Sequence, residues 1–335
     1  MILVTGGLGF LGSHIALSLM AEGKEVVLVD NLSNSNIHIL KRLEFITQKY
    51  ITFLKLDIRN TPALIRVFAE YPITSVIHAA GFKSIEESTI RPLEYYNANV
   101  SCIMSLLRAM QQTGVRTLVY LSSLQVYAQS SLDLKEETEI NFGYDNPYIK
   151  SQQMVEQIIQ DTFRVDNEWK ISILRIANVT GAFKHFILGE NIPPFPKNIV
   201  PLLLQVSAGF RENIELRRNH ATADKTAQRS FVHVLDICSA IQQSLKRLHE
   251  QPHVLDVFNL GGTIVSMIEL IEIIENITEK KINIGSYRYD NFCELAQVGT
   301  QSLKAKEILD WEAKRNIQQM IQDQWWFYNQ VLLGQ

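Results

Sequence analysis

The sequence predicts an α/β protein: a doubly wound parallel sheet carrying a smaller mixed α/β lobe. Three observations carry this. Short apolar runs alternate with amphipathic stretches of helical length through the first half, a glycine-spaced turn follows the first apolar run, and the alternation loosens after Arg175. Strict alternation of strand and helix signals makes parallel strands joined by crossover helices.

The first strand, Met1-Ile2-Leu3-Val4, runs into Thr5-Gly6-Gly7-Leu8-Gly9-Phe10-Leu11-Gly12-Ser13-His14. Gly7, Gly9 and Gly12 fit the G-x-G-x-x-G spacing of a Rossmann-type turn. In that turn one glycine makes the tight bend, one lets the backbone approach a pyrophosphate, and one lets helix pack on strand. A helix over Phe10–Ala21 then offers its N-terminal N–H groups and dipole to the phosphates. The second strand, over 25–30, ends in Asp30 at about the distance this fingerprint requires. Its carboxylate would hydrogen-bond the adenosine ribose and repel a 2′-phosphate, which favours NAD over NADP. Asp30 also suits the start of a turn before Asn31, and the two roles are compatible.

Later strands are expected over 51–56, 74–78, 115–122 and 170–175, with helices over 93–112 and 147–163 lying on the sheet. The stretch 181–198 holds Gly189, Pro193, Pro194 and Pro196 and reads as loop. This places a dinucleotide-binding domain over residues 1–176, with a contribution from about 230–262, and a substrate-binding lobe over 177–335. Ligands of open α/β sheets bind at such junctions. The terminal Trp325-Trp326-Phe327-Tyr328 cluster suits packing better than base stacking.

A chain of 335 residues, 46% hydrophobic, can bury a large core, and a net charge of −3 carries no nucleic-acid signature. Cys102, Cys238 and Cys293 are odd in number, widely spaced and outside metal-ligand spacing, which suits a reduced cytoplasmic setting. No apolar run reaches membrane-spanning length, and the first strand begins too early for a signal peptide, so no membrane partner is expected. His14, His78 and His233 lack the mutual spacing of metal ligands and read as packing or capping residues, so no metal is expected.

Two segments carry the chemistry. Leu121-Ser122-Ser123-Leu124-Gln125-Val126-Tyr127 closes the fifth strand, and Asn146-Pro147-Tyr148-Ile149-Lys150-Ser151-Gln152 opens a helix. Other segments join them: Asp57-Ile58-Arg59-Asn60, His78-Ala79-Ala80-Gly81-Phe82-Lys83, Pro92-Leu93-Glu94-Tyr95-Tyr96, Leu174-Arg175-x-x-Asn178, Pro196-Lys197-Asn198-Ile199-Val200-Pro201, Arg229-x-x-Val232-His233-Val234 and Asn259-Leu260-Gly261. With the opening turn, they resemble in order the UDP-glucose 4-epimerases of the extended short-chain dehydrogenase/reductase superfamily.

The resemblance implies a reaction in which a tyrosinate takes the proton of the sugar 4-hydroxyl while hydride passes to NAD. The 4-keto sugar then turns over and receives the hydride on its other face. Ser123 matches the serine that hydrogen-bonds the reacting oxygen, and Tyr148 matches the base. NAD would be held by Gly6, Gly7, Gly9, Phe10, Leu11 and Gly12, by Asp30 and Asn31, by Asp57 and Ile58, by Ala79, Ala80, Gly81 and Lys83, and by Asn99, Tyr148 and Gln152. The UDP-sugar would meet Asn178, Asn198, Ile199 and Arg229, with either Arg288 or Asn291 at the nucleotide. Arg229 suits phosphate because a guanidinium is planar, multidentate and permanently charged. The position that gates N-acetylated sugars falls near Val298, a small side chain that leaves room for the bulkier group. Family members pair through the helices matching 93–112 and 147–163, which implies a homodimer.

One position departs from the pattern. The family has a lysine four residues after the tyrosine, bridging the nicotinamide ribose and lowering the phenol pKa, and Gln152 stands there instead. Glutamine still hydrogen-bonds ribose hydroxyls but carries no charge. A phenol at its ordinary pKa of about 10 is roughly one part in a thousand ionised at pH 7. Lys150 cannot substitute, because residues two apart point to different sides of a helix; Lys83, after the fourth strand, is the better candidate. Ile149, Ala98 and Cys102-Ile103 also depart from the family's common residues. The reading is therefore an NAD-dependent nucleotide-sugar 4-epimerase acting on UDP-glucose/UDP-galactose or the N-acetylated pair, slowed by Gln152. The alternatives are a nucleotide-sugar 4,6-dehydratase or decarboxylase, for which Ser123-Leu124-Gln125 lacks the acids, and an inactive NAD- and UDP-sugar-binding protein.

Overall fold

The computed structural model describes residues 1–183, 188–190, 198–219, 221–288 and 295–330. Its first part runs β1 (Ile2–Thr5), α1 (Phe10–Ala21), β2 (Val26–Asp30), α2 (His38–Thr47), β3 (Thr52–Lys55), α3 (Thr61–Glu70), β4 (Ser75–His78), α4 (Ile85–Ile90) and α5 (Pro92–Tyr96). A π-helical turn at Asn97–Ser101, α6 (Cys102–Thr113), β5 (Thr117–Ser123), a 3-10 turn at Leu124–Tyr127, α7 (Pro147–Arg164) and β6 (Lys170–Ile176) follow. Then come β7 (Asn178–Thr180), β8 (Ala182–Phe183), β9 (Leu188–Gly189), α8 (Ile199–Ser207), β10 (Ile214–Arg217), β11 (Gln228–His233) and α9 (Val234–Glu250). The chain continues with β12 (Val254–Leu260), β13 (Thr263–Ser266), α10 (Met267–Thr278), β14 (Ile284–Arg288), β15 (Gln297–Val298), α11 (Leu303–Leu309) and α12 (Ile317–Tyr328).

Seven strands form one parallel sheet in the order β12-β6-β5-β4-β1-β2-β3. The chain winds outward from β1 through β2 and β3, returns to β4 on the other side of β1, and continues through β5 and β6. The order therefore reverses between β1 and β4, and the C-terminal ends of these two strands open the crevice in which such sheets bind ligands. The strands are almost continuously apolar because helices cover both faces. The pleat splits β1 accordingly: Ile2 and Val4 join the core under α1 and α9, and Leu3 joins the core under α3, α6 and α7.

A separate core, built around Leu203, Leu216, Phe231, Leu270, Met320 and Tyr328, holds α8, α10 and α12 against β10 and β11. Strand β11 pairs with β13, β15 and β7 along its length, which brings Arg229 beside Val298 and leads on to Asn178 opposite Phe231. In the C-terminal aromatic cluster Phe327 and Tyr328 are buried, and Trp325 stacks on Tyr328 at 6.3 Å. These rings serve packing.

The helix expected over 93–112 is interrupted by the π-helical turn at Asn97–Ser101. Tertiary hydrogen bonds account for the widening. Asn99, at its centre, accepts from the Phe82 N–H at 2.8 Å and donates to the Phe82 carbonyl and to Ser151 Oγ. Such π turns recur where a helix must push a side chain into a site.

Candidate active site

The glycine turn lies where β1 delivers it, at the switch point. Gly6 takes the left-handed conformation, with φ of +64°, and a Cβ there would stand 2.9 Å from the backbone of Ala80. The tight bend is thus made by Gly6, one residue before the spaced motif begins. A Cβ on Gly12 would lie 2.1 Å from the Gly6 carbonyl oxygen, so only glycine lets α1 start this close to the turn. Gly7 backs onto Leu28, Gly9 is the extended N-cap of α1 without a side-chain cap, and Phe10 and Leu11 open that helix. The turn presents backbone rather than side chains, which is the surface a pyrophosphate requires.

Asp30, buried at the end of β2, braces this turn. One carboxylate oxygen accepts the Leu8 N–H at 3.1 Å, and the other accepts the Leu32 N–H and the Ser35 hydroxyl. An ionised carboxylate offers about four lone-pair sites, so capacity remains for a ribose hydroxyl. Asn31 donates to Asp57 at 3.2 Å, and Asp57 takes a bidentate pair from Arg59. That guanidinium holds the Asp57 carboxyl well below the ordinary carboxylate range. Ile58 is buried in the core under α3 and α6.

Ala79, Ala80 and Gly81 leave β4 across the crevice from the turn, with the Ala79 N–H donating to the Thr5 carbonyl. Asn99 lies behind Gly81, its amide already engaged by Phe82 and Ser151, so it shapes this loop from below. Lys83 reaches Glu190 at 3.4 Å, and Glu190 also accepts from Asn198 at 2.6 Å. Asn198 is the N-cap of α8 and Ile199 its first residue.

Tyr148 is placed by the first turn of α7. The Asn146 side chain accepts from the Ile149 N–H at 3.1 Å, and Pro147 occupies the first turn, where its missing N–H costs nothing. The ring packs in a buried cluster with Tyr95, Ala128 and Ile149. Burial pushes its phenol pKa above the ordinary value, and the nearby Ser123 hydroxyl partly offsets this. Ser123 ends β5 and accepts the Gln125 N–H at 3.2 Å. One cleft is lined by Ser123, Gln125, Asn178, Arg229 and Val298. Two main-chain carbonyls, of Gln228 and Ala296, hold the Arg229 guanidinium. The Arg288 backbone belongs to β14, and Asn291 lies outside the described residues.

No described lysine or arginine is bonded to Tyr148. Lys150 pairs with Asp145 at 2.7 Å, and Lys83 is held by Glu190. Gln152, one turn beyond Tyr148, accepts instead from the Tyr120 hydroxyl at 2.5 Å. A further turn along, Glu156 forms a buried pair with Arg175 at 2.6 Å and accepts from Ser122. The sequence patterns do not single out Tyr120 or Glu190. A tyrosine inside a buried parallel strand carries a hydroxyl that must find a partner, and that signal was available; Glu190, in the glycine- and proline-rich stretch, gave none.

The histidines serve packing, bracing and capping. His14 lies 2.7 Å from the Phe10 carbonyl oxygen and 3.0 Å from that of Leu188, His78 lies 2.7 Å from the Thr5 hydroxyl, and His233 caps α9 by accepting the Leu235 N–H. Among the described residues no cluster of His, Cys, Asp and Glu could hold a metal ion.

A crevice at the switch point, floored by a glycine turn and flanked by a serine–tyrosine pair, is the arrangement of a dinucleotide-dependent enzyme. The chain belongs to the NAD dependent epimerase/dehydratase family, whose model matches residues 2–261. It is 36% identical over 328 residues to the UDP-glucose 4-epimerase of Bacillus subtilis, covering 97% of this chain and 95% of that protein. The Yersinia pestis enzyme of the same name is 35% identical over 328 residues, covering 97% and 96%. Two solved structures are similar throughout. The UDP-glucose 4-epimerase of Bifidobacterium longum, in complex with NAD+ and UDP, gives a TM-score of 0.93 at 32% identity, covering 100% of this chain and 99% of that one. That of Stenotrophomonas maltophila, with NAD and formylated UDP-arabinopyranose, gives 0.92 at 31%, with the same coverage.

Proposed function

We propose that the protein is an NAD-dependent nucleotide-sugar 4-epimerase that interconverts UDP-sugars at C4. The observation that carries this is the cleft that joins Ser123, at the end of β5, to Asn178 and Arg229, with the Ser123 hydroxyl near enough to Tyr148 to offset part of the effect of burial on its phenol. The residues fit the cofactor: the turn at Gly6 and Gly12 has no room for a Cβ, and Asp30 keeps acceptor capacity. NAD, when bound, supplies the acceptor and later the donor of the C4 hydride. Tyr148 takes the 4-hydroxyl proton and returns it, and Ser123 orients the reacting oxygen. Gln152 donates to the ribose without adding charge, and because burial favours the neutral phenol, the base form of Tyr148 is scarce near pH 7.

Arg229 serves the diphosphate, and Asn178, Asn198 and Ile199 serve the remainder of the UDP-sugar, with Arg288 or Asn291 at the nucleotide. Residues 1–176, with about 230–262, make the NAD-binding domain, and 177–335 the substrate lobe. The small Val298 in the cleft suits the N-acetylated pair as well as UDP-glucose and UDP-galactose. A homodimer forms through α5, α6 and α7, where Leu93, Met104 and Met154 are exposed. The reading is of a cytoplasmic enzyme; no described helix is long and apolar enough to cross a membrane.

A second reading, an inactive NAD- and UDP-sugar-binding protein, draws on the missing charge at Gln152. Incubation with UDP-galactose, and separately with UDP-N-acetylglucosamine, followed by NMR of the anomeric protons decides between them. Formation of the C4 epimer from either is expected. Failure of both, in protein that holds NAD, overturns the epimerase reading and leaves the binding protein.

A further inference from the structure

Gln152 has one acceptor oxygen and an NH2 end with two donors. The oxygen is taken by the Tyr120 hydroxyl at 2.5 Å, inside the protein. Tyr120 is a permanent donor, because burial, helped by nearby Glu156 and Tyr148, pushes its phenol well above the ordinary value. The amide nitrogen of Gln152 takes no partner among the described residues, nor is it among the partnerless atoms sealed from solvent.

Tyr120 is itself fixed from the glycine-turn side. Its ring stacks on His78, with centroids 5.8 Å apart and planes at 24°. His78 Nδ1 lies 2.7 Å from Thr5 Oγ1, which accepts the Ala80 N–H at 3.4 Å. Thr5 and Ala80 flank the bend at Gly6. Burial lowers the His78 pKa to about 4, so this chain of contacts is neutral at physiological pH.

We propose that Tyr120 is a positioning residue: by holding the Gln152 oxygen it commits the carboxamide to present its N–H donors to the nicotinamide ribose. The Tyr120–Gln152 pair thereby orients the cofactor, as a lysine at this position would, and leaves out the charge. This rests on the NAD-dependent reading above, but its test reads the cofactor as well as turnover.

The test is a double-mutant cycle of Tyr120→Phe, Gln152→Met and the double variant in the purified holoprotein. Loss of bound NAD on dilution is followed by chromatography, together with the pH profile of kcat. One oriented hydrogen bond is worth about fivefold, so Tyr120→Phe is expected to release NAD about fivefold faster. In the Gln152→Met background the same change is expected to alter release less than about twofold, since the hydrogen bond is already gone. The pH profile of kcat keeps its midpoint in Tyr120→Phe, because no charge has changed. An undiminished effect of Tyr120→Phe in the Gln152→Met background, a shifted pH midpoint, or no faster release from Tyr120→Phe alone overturns the proposal. Holoprotein that retains NAD but forms no epimer overturns the epimerase reading while the release cycle still decides this one. Protein that holds no NAD overturns both.

Discussion

The two ends of the active-site crevice are built on different principles. At the glycine turn the chain offers backbone: Gly6 bends it, Gly12 admits the helix, and Asp30 pins Leu8 from behind. Along α7 it offers side chains in a stripe one turn apart, with Tyr148, then Gln152, then Glu156, meeting β5 and β6. The first region is defined by what cannot fit, and it keeps the full grammar of a dinucleotide site. The second is defined by charge and hydrogen-bond direction, so a single residue type, Gln152, changes its chemistry while leaving its shape. Retention of a cofactor site therefore says less about rate than the stripe on α7 does.

The largest expected effect separates chemistry from binding. Tyr148→Phe removes the proposed proton acceptor, and kcat is expected to fall about 10²- to 10⁴-fold while bound NAD, which keeps its other contacts, falls far less, measured by turnover and cofactor content. Equal loss of cofactor and turnover would break the contrast between the two regions. Next, Glu156→Ala leaves Arg175 buried beneath the Tyr127 ring without its carboxylate. Stability is expected to drop by about 3–5 kcal/mol in a urea titration, as for buried pairs broken on one side. A drop below 1 kcal/mol would show that the far end of the stripe is not structural. Smaller still, Gly12→Ala pushes a methyl against the Gly6 carbonyl. It is expected to cost about 1–3 kcal/mol and to lower the NAD content of the purified protein. Unchanged NAD content would show that the turn tolerates side chains.

How much was legible in the sequence follows the same division. Backbone constraints leave local signatures, so the turn, the run of Phe10–Ala21 and the buried strands could be read directly. The start of α7 was legible because Asn146 and Pro147 are a cap and a first-turn proline. The position of the bend is not legible: the spacing puts it at one of Gly7, Gly9 and Gly12, whereas Gly6 carries the positive φ. The π turn at Asn97–Ser101 was not legible, since it depends on Phe82 and Ser151, distant in the chain. Nor was the Tyr120–Gln152 bond, which joins a strand to a helix, or the engagement of Asn198 and Lys83 by Glu190. Periodicity reports which face is buried; it does not report which polar atoms meet there.

The central claim is that Tyr148 works as the base without a cation beside it, and the pH dependence of kcat tests it most directly. Burial raises the Tyr148 phenol, so the ionised base gains population as pH rises, and the parent rate is expected to climb steadily through pH 9. Gln152→Lys places a positive charge one turn from the phenol. That lowers its pKa by about 1–3 units and moves the rise to correspondingly lower pH, with a higher rate at pH 7. Superimposable profiles for parent and Gln152→Lys, both flat from neutral pH upward, would contradict the account.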